Sequence, residues 1–138
     1  MKTPLEVTQT IYQLFSEGNL AGFIDLCHED INWVVNGPAD LKKCQSYRGK
    51  QGVQQFLDIL GETWTFSSFN PREFIVQGDT VVALGEESGK DISRDQPFYN
   101  RWAHIFTIEN GRLVQFREFL CCWFGEEKAP DMNWSTMH

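Results

Sequence analysis

The residues best suited to acid–base chemistry lie late in the chain, and His104 is the first of them. In this stretch Trp102, His104, Phe106 and Ile108 occur at every second position. Alternate residues of a β-strand point to the same face, so the imidazole would project among aromatic side chains. A histidine there could hydrogen-bond a ligand carbonyl or transfer a proton near neutral pH. The alternative is a structural histidine paired to a neighbouring strand.

Glu118 is the second candidate and lies in the mostly apolar run 112–120. If the face that it shares with Phe116 and Leu120 is concave, its carboxyl group lies in an apolar cavity. Burial raises the pKa of a carboxyl group, which suits a general acid or base. The alternative is an ordinary ion pair with Arg101 on the adjacent strand.

Whether His104 and Glu118 meet depends on the strand register around Asn110-Gly111, a strong short hairpin signal. A regular two-residue turn at this point pairs His104 with Arg117. A direct pair of His104 with Glu118 requires a slip or a β-bulge, which strands beside active sites often contain. With Glu118 inside, acid–base catalysis has two participants; with Arg117 inside, the cavity is cationic and suits binding of an acid.

Two adjacent cysteines, Cys121 and Cys122, follow this run. A disulfide between sequence neighbours is strained. A thiol at Cys121 could act as a nucleophile if His104 lowered its pKa. A metal site built from these groups lacks the usual two-residue spacing between cysteines, so we predict none. The alternative for both cysteines is inert packing.

The first half of the chain predicts three helices that would support these residues. Thr3, Pro4 and Glu6 supply an N-cap, a first-turn proline and a capping box for the first helix. Gly18 ends that helix, and Asn19 caps a second one. The remaining predicted features are the end of the second helix at 28–30, a strand at 31–35, a solvated loop including Lys42-Lys43, and a third helix over about 52–60.

The second half of the chain changes from a helical period to a period of two, which predicts antiparallel hairpins. Gln96-Pro97 predicts a loop between two of them. Three helices followed by an antiparallel meander indicate an α+β fold, and a strongly twisted sheet offers a concave face. The predicted strand pairs are 74–76 with 80–84 and 101–108 with 112–120.

Several short motifs occur in a particular order over residues 5–122. They are Glu29-Asp30-Ile31-Asn32-Trp33, Asn36-Gly37-Pro38, the heptapeptide at 47–53, the octapeptide at 74–81, and Trp102-Ala103-His104-Ile105-Phe106 leading into Asn110-Gly111. Together they resemble the SnoaL-like, ketosteroid-isomerase-related branch of the nuclear-transport-factor-2-like superfamily. The resemblance implies a cone in which three N-terminal helices pack on a strongly curved, mostly antiparallel sheet that encloses a pocket. Members include isomerases, polyketide cyclases, epoxide hydrolases, dehydratases and plain binding proteins.

The catalytic positions of these families match this chain poorly. The oxyanion-donating tyrosine of the steroid isomerases corresponds to Ile11, so the resemblance implies that Tyr12 points elsewhere. The aspartate base of those enzymes corresponds to Val35, and their protonated acid corresponds to His104. The acid–base aspartate of the polyketide cyclases corresponds to Cys121. The standard isomerase and cyclase mechanisms therefore each lack essential groups here.

From these observations we predict His104, Glu118 and Cys121 as catalytic candidates. The expected activity is that of a cofactor-independent isomerase, cyclase, dehydratase or hydrolase acting on a hydrophobic, oxygenated small molecule. The alternatives are a non-catalytic ligand-binding domain and a dimeric interaction module with a vestigial cavity. The residues predicted to contact the ligand are Tyr12, Trp33, Val35, Trp102, Phe106 and Phe116.

The composition limits the class of partner. The 138 residues suit one domain, predicted at 1–124 and followed by a polar tail at 125–138. Five Trp and 11 Phe supply apolar area for a core and a cavity wall. A net charge of -7 disfavours nucleic acid and anionic membranes as partners. With no apolar signal segment or membrane-length run in the sequence, we expect a cytoplasmic protein.

The strands at 101–120 also predict how the chain assembles. Their outward face is too apolar to be left in water, so we expect a homodimer formed through the sheet. The residues assigned to that face are Ala103, Ile105, Thr107, Phe119, and either Val114 or Leu113.

Overall fold

The computed structural model describes the backbone of residues 2–124 and the side chains of residues 2–121. It confirms an α+β fold with three helices and one mostly antiparallel sheet. The predicted tail at 125–138 lies outside the described residues. The elements are α1 (Pro4–Ser16), α2 (Leu20–Asp25), β1 (Cys27–Asn36), β2 (Ser46–Arg48), α3 (Gly49–Thr63), β3 (Trp64–Gln77), β4 (Thr80–Asp91), β5 (Gln96–Glu109) and β6 (Arg112–Phe124).

Helix α1 begins as its sequence predicts. The Glu6 backbone N–H donates to Thr3 Oγ1 at 3.2 Å, and the Thr3 N–H donates to Glu6 Oε1 at 2.9 Å, which completes the capping box. Val7 and Ile11 are buried on one face, and that face packs against β4 and β5. This packing places the helix over the strand that carries the candidate histidine.

Helix α2 is shorter than predicted. Asn19 caps it, but it ends at Asp25, and residues 28–30 belong to β1 rather than to the end of a helix. The strand pattern prevails because Ile31, Trp33 and Val35 alternate inward along β1 and are all buried. The strand pairs with β2 on one side and β6 on the other, and these pairings outweigh the local helical preference of residues 28–30.

The six strands lie in the order β2-β1-β6-β5-β4-β3. Every neighbouring pair is antiparallel except β1 with β6, which run parallel. The predicted loop at Gln96-Pro97 is instead the start of β5, and residues 92–95 form the turn. Proline is tolerated there because it lies at the first positions of the strand.

The hairpin of β5 and β6 contains the irregularity on which the site depends. Its turn, Asn110-Gly111, has positive φ at both residues, as a type I′ turn requires. Next to the turn Ile108 pairs with Leu113, but Thr107 pairs with Gln115. One extra residue, Val114, is therefore accommodated on β6 as a bulge.

The helices cover the inner face of the sheet, where the core lies. On β5 every second residue from Phe98 to Ile108 is buried. Glycine is required at Gly85, because a Cβ there would lie 2.3 Å from a ring carbon of Trp102. Among the described residues, no helix is both long and apolar enough to cross a membrane.

Candidate functional site

A cavity of about 50 Å³ lies between the helices and the inner face of the sheet. Its wall is largely aromatic. Besides Tyr12, four of its side chains are titratable or charged. Val35 and Trp102, which were predicted to contact a ligand, are buried but do not line it. The lining residues include Tyr12, Phe15, Phe23, Trp33, Phe56, Phe66, Phe69, Phe106 and Phe116, together with Lys43, Glu87, His104 and Glu118.

Three of the lining residues form a hydrogen-bonded row. Tyr12 Oη lies 2.7 Å from His104 Nδ1, and His104 Nε2 lies 2.9 Å from Glu118 Oε2. The bulge at Val114 makes Glu118, rather than Arg117, the cross-strand partner of His104. Glu118 is thus inside the fold and 3 % exposed, which settles the register left open by the sequence.

Tyr12 lines the cavity, as its place among the predicted ligand contacts requires, whereas the expectation from the isomerase alignment that it points away from the pocket is wrong. Because α1 packs across β4 and β5, the Tyr12 ring lies against the inner face of β5. Its centroid is 5.9 Å from the ring of His104 and 5.5 Å from that of Phe106. Tyr12 therefore reaches the same part of the cavity as the histidine, although its position does not match the isomerase tyrosine.

The charges of the row follow from its surroundings. Burial by itself would raise the pKa of Glu118, but the nearby Lys43 and His104 outweigh it and lower that pKa to about 2. Burial lowers the pKa of His104 in spite of the adjacent carboxylate. At neutral pH the row therefore contains an ionised Glu118 and a neutral imidazole.

These charges fix the direction of both hydrogen bonds. An ionised carboxylate can only accept, so His104 Nε2 carries the imidazole proton and donates it to Glu118. His104 Nδ1 is then unprotonated and accepts from the Tyr12 hydroxyl. Burial, and then the charge of Glu118, raise the pKa of Tyr12, so the phenol keeps its proton at rest.

Lys43 also belongs to the site, and its interpretation as part of a solvated loop is wrong. Its Nζ lies 3.8 Å from Glu118 Oε1, and both side chains are 4 % exposed. The ammonium also sits 3.9 Å from the centroid of the Trp64 ring. Tyr47 fixes the loop by donating from its hydroxyl to the Lys43 carbonyl at 2.8 Å. The doublet Lys42-Lys43 gave no sign that one of the two lysines would be buried.

Glu87 is a further lining residue that the sequence reasoning missed. It is 2 % exposed, and its Oε2 accepts a hydrogen bond from Asn100 Nδ2 at 2.8 Å. The alternation of Val81 and Ala83 along β4 places Glu87, and not Glu86, on the inner face. That alternation was visible in the sequence and could have identified it.

Cys121 does not belong to the site. It is exposed and carries a free thiol, and it pairs with Arg101 at the outer face of the hairpin. The bulge is again the reason, because it turns Phe116 and Glu118 inward and leaves Phe119 and Cys121 outward. The prediction that Cys121 is a nucleophile activated by His104 is therefore wrong. The side chain of Cys122 lies outside the described residues.

One polar group in the cavity wall lacks a partner. Trp33 lines the cavity and stacks on Phe116 with ring centroids 3.9 Å apart. Its indole N–H is buried and makes no hydrogen bond to any described residue. Most buried donors in proteins are hydrogen-bonded, so this N–H is available to an acceptor on a bound molecule.

Comparison with known proteins identifies the family. The model of the SnoaL-like domain matches residues 8–116, which is most of the chain. The chain therefore belongs to the SnoaL-like domain family, as its motifs predicted. No curated protein matches it.

Solved structures agree on the fold. A nuclear-transport-factor-2-like protein from Burkholderia xenovorans has a TM-score of 0.78 and 23% identity, over 88% of this chain and 92% of that one. TerC, crystallised with polyporic acid, has a TM-score of 0.76 and 23% identity, over 86% of this chain and 91% of that one. A candidate SnoaL-like polyketide cyclase from Mesorhizobium loti has a TM-score of 0.70 and 17% identity, over 86% of this chain and 99% of that one. These likenesses confirm the predicted cone fold.

Proposed function

We propose that this chain catalyses proton transfer on a hydrophobic, oxygen-bearing small molecule bound in the cavity. Tyr12, His104 and Glu118 are the acid–base unit, and Trp33, Phe106 and Phe116 contact the ligand. The observation that carries the proposal is the continuous row of hydrogen bonds, 2.7 Å and 2.9 Å long, inside an aromatic cavity. A carboxylate, an imidazole and a hydroxyl in this order form a relay that increases the basicity of the last oxygen.

In the proposed reaction the ligand meets the row at Tyr12. Both ring nitrogens of His104 are occupied inside the protein, so a ligand proton reaches the imidazole through the Tyr12 oxygen. That oxygen accepts the proton while its own proton moves to His104 Nδ1. The imidazolium formed is stabilised by the ionised Glu118 next to it. The carbon or oxygen that lost the proton keeps the electron pair.

The relatives support this reaction class. The Mesorhizobium loti protein is described as a candidate polyketide cyclase, and a Rhodopseudomonas palustris protein as a candidate isomerase. TerC was crystallised with polyporic acid. Small-molecule sites usually measure about 300 Å³ or more, whereas this cavity measures about 50 Å³. We therefore propose that binding displaces aromatic side chains of the wall, chiefly Phe15, Phe66 and Phe69.

The proposal is tested by hydrogen exchange at carbon. Cyclohex-3-en-1-one and 2-tetralone have acidic hydrogens next to a carbonyl, and their exchange in D₂O can be followed by NMR. The wild-type protein is expected to accelerate exchange for at least one of them, and Tyr12→Phe to reduce it by about 100-fold or more. Tyr99→Phe is the matched control, because Tyr99 donates to Glu86 outside the cavity. Equal loss in both variants, or no acceleration by the wild type, contradicts the proposal.

A second candidate is a ligand-binding domain without catalysis. It is favoured by the fact that both ring nitrogens of His104 are satisfied within the protein, so that the row is also a stable structural network. In that case the ketones bind, with protein chemical-shift changes around Trp33, but their exchange rates stay at the buffer level. Exchange and chemical-shift changes measured on the same samples separate the two functions.

A further inference from the structure

The wall of the cavity is closed more completely on one side than on the other. Tyr12 and Phe15 on α1 and Phe66 and Phe69 on β3 line the cavity but are only half-buried. The lining residues contributed by β1, β6, α2 and α3 are all buried. Strand β3 is an edge of the sheet, and three strands separate it from β1. A ligand therefore enters between α1 and β3, and the wall at β1 is the closed end.

Trp33 lies at this closed end and is 3 % exposed. Its ring stacks on Phe116 with centroids 3.9 Å apart, and it packs against Phe56 and Phe23 at 5.1 Å and 5.8 Å. None of these three phenylalanine side chains has an atom that accepts a conventional hydrogen bond. The packing that fixes the indole ring therefore supplies no acceptor for its N–H.

The indole N–H of Trp33 is buried and makes no hydrogen bond to a described residue. By contrast, the buried Trp64 donates from its Nε1 to Asp91 Oδ2 at 3.2 Å. Trp102 also lacks an acceptor, but it does not line the cavity. Of these three tryptophans, Trp33 alone is both unpartnered and part of the wall. A buried donor without an acceptor is costly, which points to an acceptor on a ligand.

The closed end and the hydrogen-bonded row are neighbours. The ring of Phe116 lies 3.9 Å from that of Trp33 and 5.0 Å from that of His104, measured between centroids. One ring thus separates the indole from the row, and Tyr12 ends the row on the side where the ligand enters. A flat bicyclic molecule can therefore reach Trp33 with its leading end while its other end stays at Tyr12.

We propose that Trp33 selects the ligand by donating its indole N–H to a second oxygen, at the end of the molecule remote from the carbon that loses a proton. This assignment rests on the function proposed above and narrows its substrate class. The ligand is flat and at least bicyclic, with a carbonyl-activated C–H group at one end and an acceptor oxygen, such as an ether or carbonyl oxygen, at the other. Trp33 determines specificity and takes no part in the proton transfer.

Two ketones of matched shape test for the acceptor. 6-Methoxy-2-tetralone has an ether oxygen at the end remote from its carbonyl, and 6-ethyl-2-tetralone has a similar shape without that oxygen. NMR titration of the full chain should give a Kd for the methoxy ketone about 3- to 10-fold lower than for the ethyl ketone, as one net hydrogen bond provides. Trp33→Phe keeps a ring in the wall and removes the N–H, so it should bind both ketones within about 2-fold of each other. Phe56→Leu alters the same end of the cavity without removing a donor and should keep the preference.

The indole proton gives a second readout on the wild-type protein, which does not require the variant to fold. Its ¹H–¹⁵N signal, assigned through contacts with the rings of Phe116 and Phe56, should move downfield with the methoxy ketone and clearly less with the ethyl ketone. The indole of Trp102, which is buried outside the cavity wall, should respond alike to both ketones.

Failure of this assignment can be told apart from failure of the proposed function. Equal affinities of the wild type for the two ketones, equal shifts of the Trp33 indole signal, or a preference that survives in Trp33→Phe each overturn the role of Trp33. None of these results affects hydrogen exchange at carbon, which tests the function. Exchange at the buffer level, with a preference that only Trp33→Phe loses, overturns catalysis and supports Trp33 as the residue that selects the ligand. A wild type that binds neither ketone overturns both proposals.

Discussion

At the scale of single residues, the site is a balance of charges among buried side chains. Glu118 stays ionised because Lys43 lies close by, and His104 stays neutral because it is buried. Two buried ions of opposite charge stabilise each other. Removing either one leaves the other without its partner and typically destabilises the fold by about 3–5 kcal/mol. The lysine is therefore as necessary to the state of the row as the histidine.

This balance predicts non-additive mutations. Lys43→Met should destabilise the fold by about 3 kcal/mol because it leaves Glu118 buried without its cation. The double variant Lys43→Met, Glu118→Gln should recover at least about 1 kcal/mol of that loss. Urea unfolding followed by tryptophan fluorescence measures both values, and Lys42→Met is the control because Lys42 is exposed. Additive effects of the two substitutions would show that the pair does not interact.

At the scale of elements, the position of His104 depends on close packing between β4 and β5. Gly85 pairs with Trp102, whose ring is nearly parallel to the imidazole, at 4°. Trp102 thus forms the support of His104 although it does not line the cavity. The Cβ of any other residue at position 85 would meet the Trp102 ring and the Asn70 carbonyl.

Gly85→Ala should therefore disturb the site through its support. We expect a loss of about 1–3 kcal/mol in the free energy of unfolding, as for other overpacked cores, and a changed near-UV signal from Trp102. Gly61→Ala is the contrasting control: Gly61 lies in α3 with no atom within 4 Å of the added Cβ, so it should be neutral or stabilising by up to about 1 kcal/mol. A Gly85→Ala protein as stable as the wild type argues against this support.

The same hairpin shows how far the sequence could specify the site. The turn Asn110-Gly111 was predictable from two residues, because that pair favours positive φ at both positions. The bulge at Val114 was not, since no local signal distinguishes it from a regular strand residue. It forms because it lets both Leu113 and Phe116 point into the core. Regular pairing would have put Arg117 inside, so packing of apolar residues decided the chemistry of the cavity.

At the scale of the whole molecule, the order of helices and strands was predictable from periodicity and caps. The charged residues of the site were harder to predict from the sequence. Lys43 lies in a loop whose composition is typical of solvated segments, and only the fold brings it to Glu118. The curved sheet joins residues from α1, that loop, β4, β5 and β6, and such distant contacts leave no pattern in any one stretch.

The apolar outer face of the sheet indicates how two copies of the chain would associate. Phe119 is 47% exposed, and Ala103 and Ile105 on β5 are half-buried beside it. The sequence left either Leu113 or Val114 for this outer face. Leu113 is buried in the core, so Val114 is the one that lies on the outer face. We propose a homodimer through this surface, which excludes water from the exposed apolar side chains.

Light scattering at micromolar concentration should give twice the monomer mass for the wild type and a monomer for Phe119→Asp. Ile92→Asp, in the turn between β4 and β5, should remain dimeric although Ile92 is equally exposed. A wild-type monomer under these conditions contradicts the proposed interface.

The account as a whole depends on the protonation state of His104, which ¹⁵N NMR of the imidazole nitrogens measures directly. With the signals assigned by comparison with His104→Gln, we predict a neutral ring at neutral pH, with its proton on Nε2 and with Nδ1 accepting a hydrogen bond that Tyr12→Phe removes. The ring should stay neutral below the ordinary histidine pKa, because burial lowers that of His104. A cationic ring at neutral pH, or a neutral ring with its proton on Nδ1, would leave the row unable to accept a proton through Tyr12 and would contradict the proposed function.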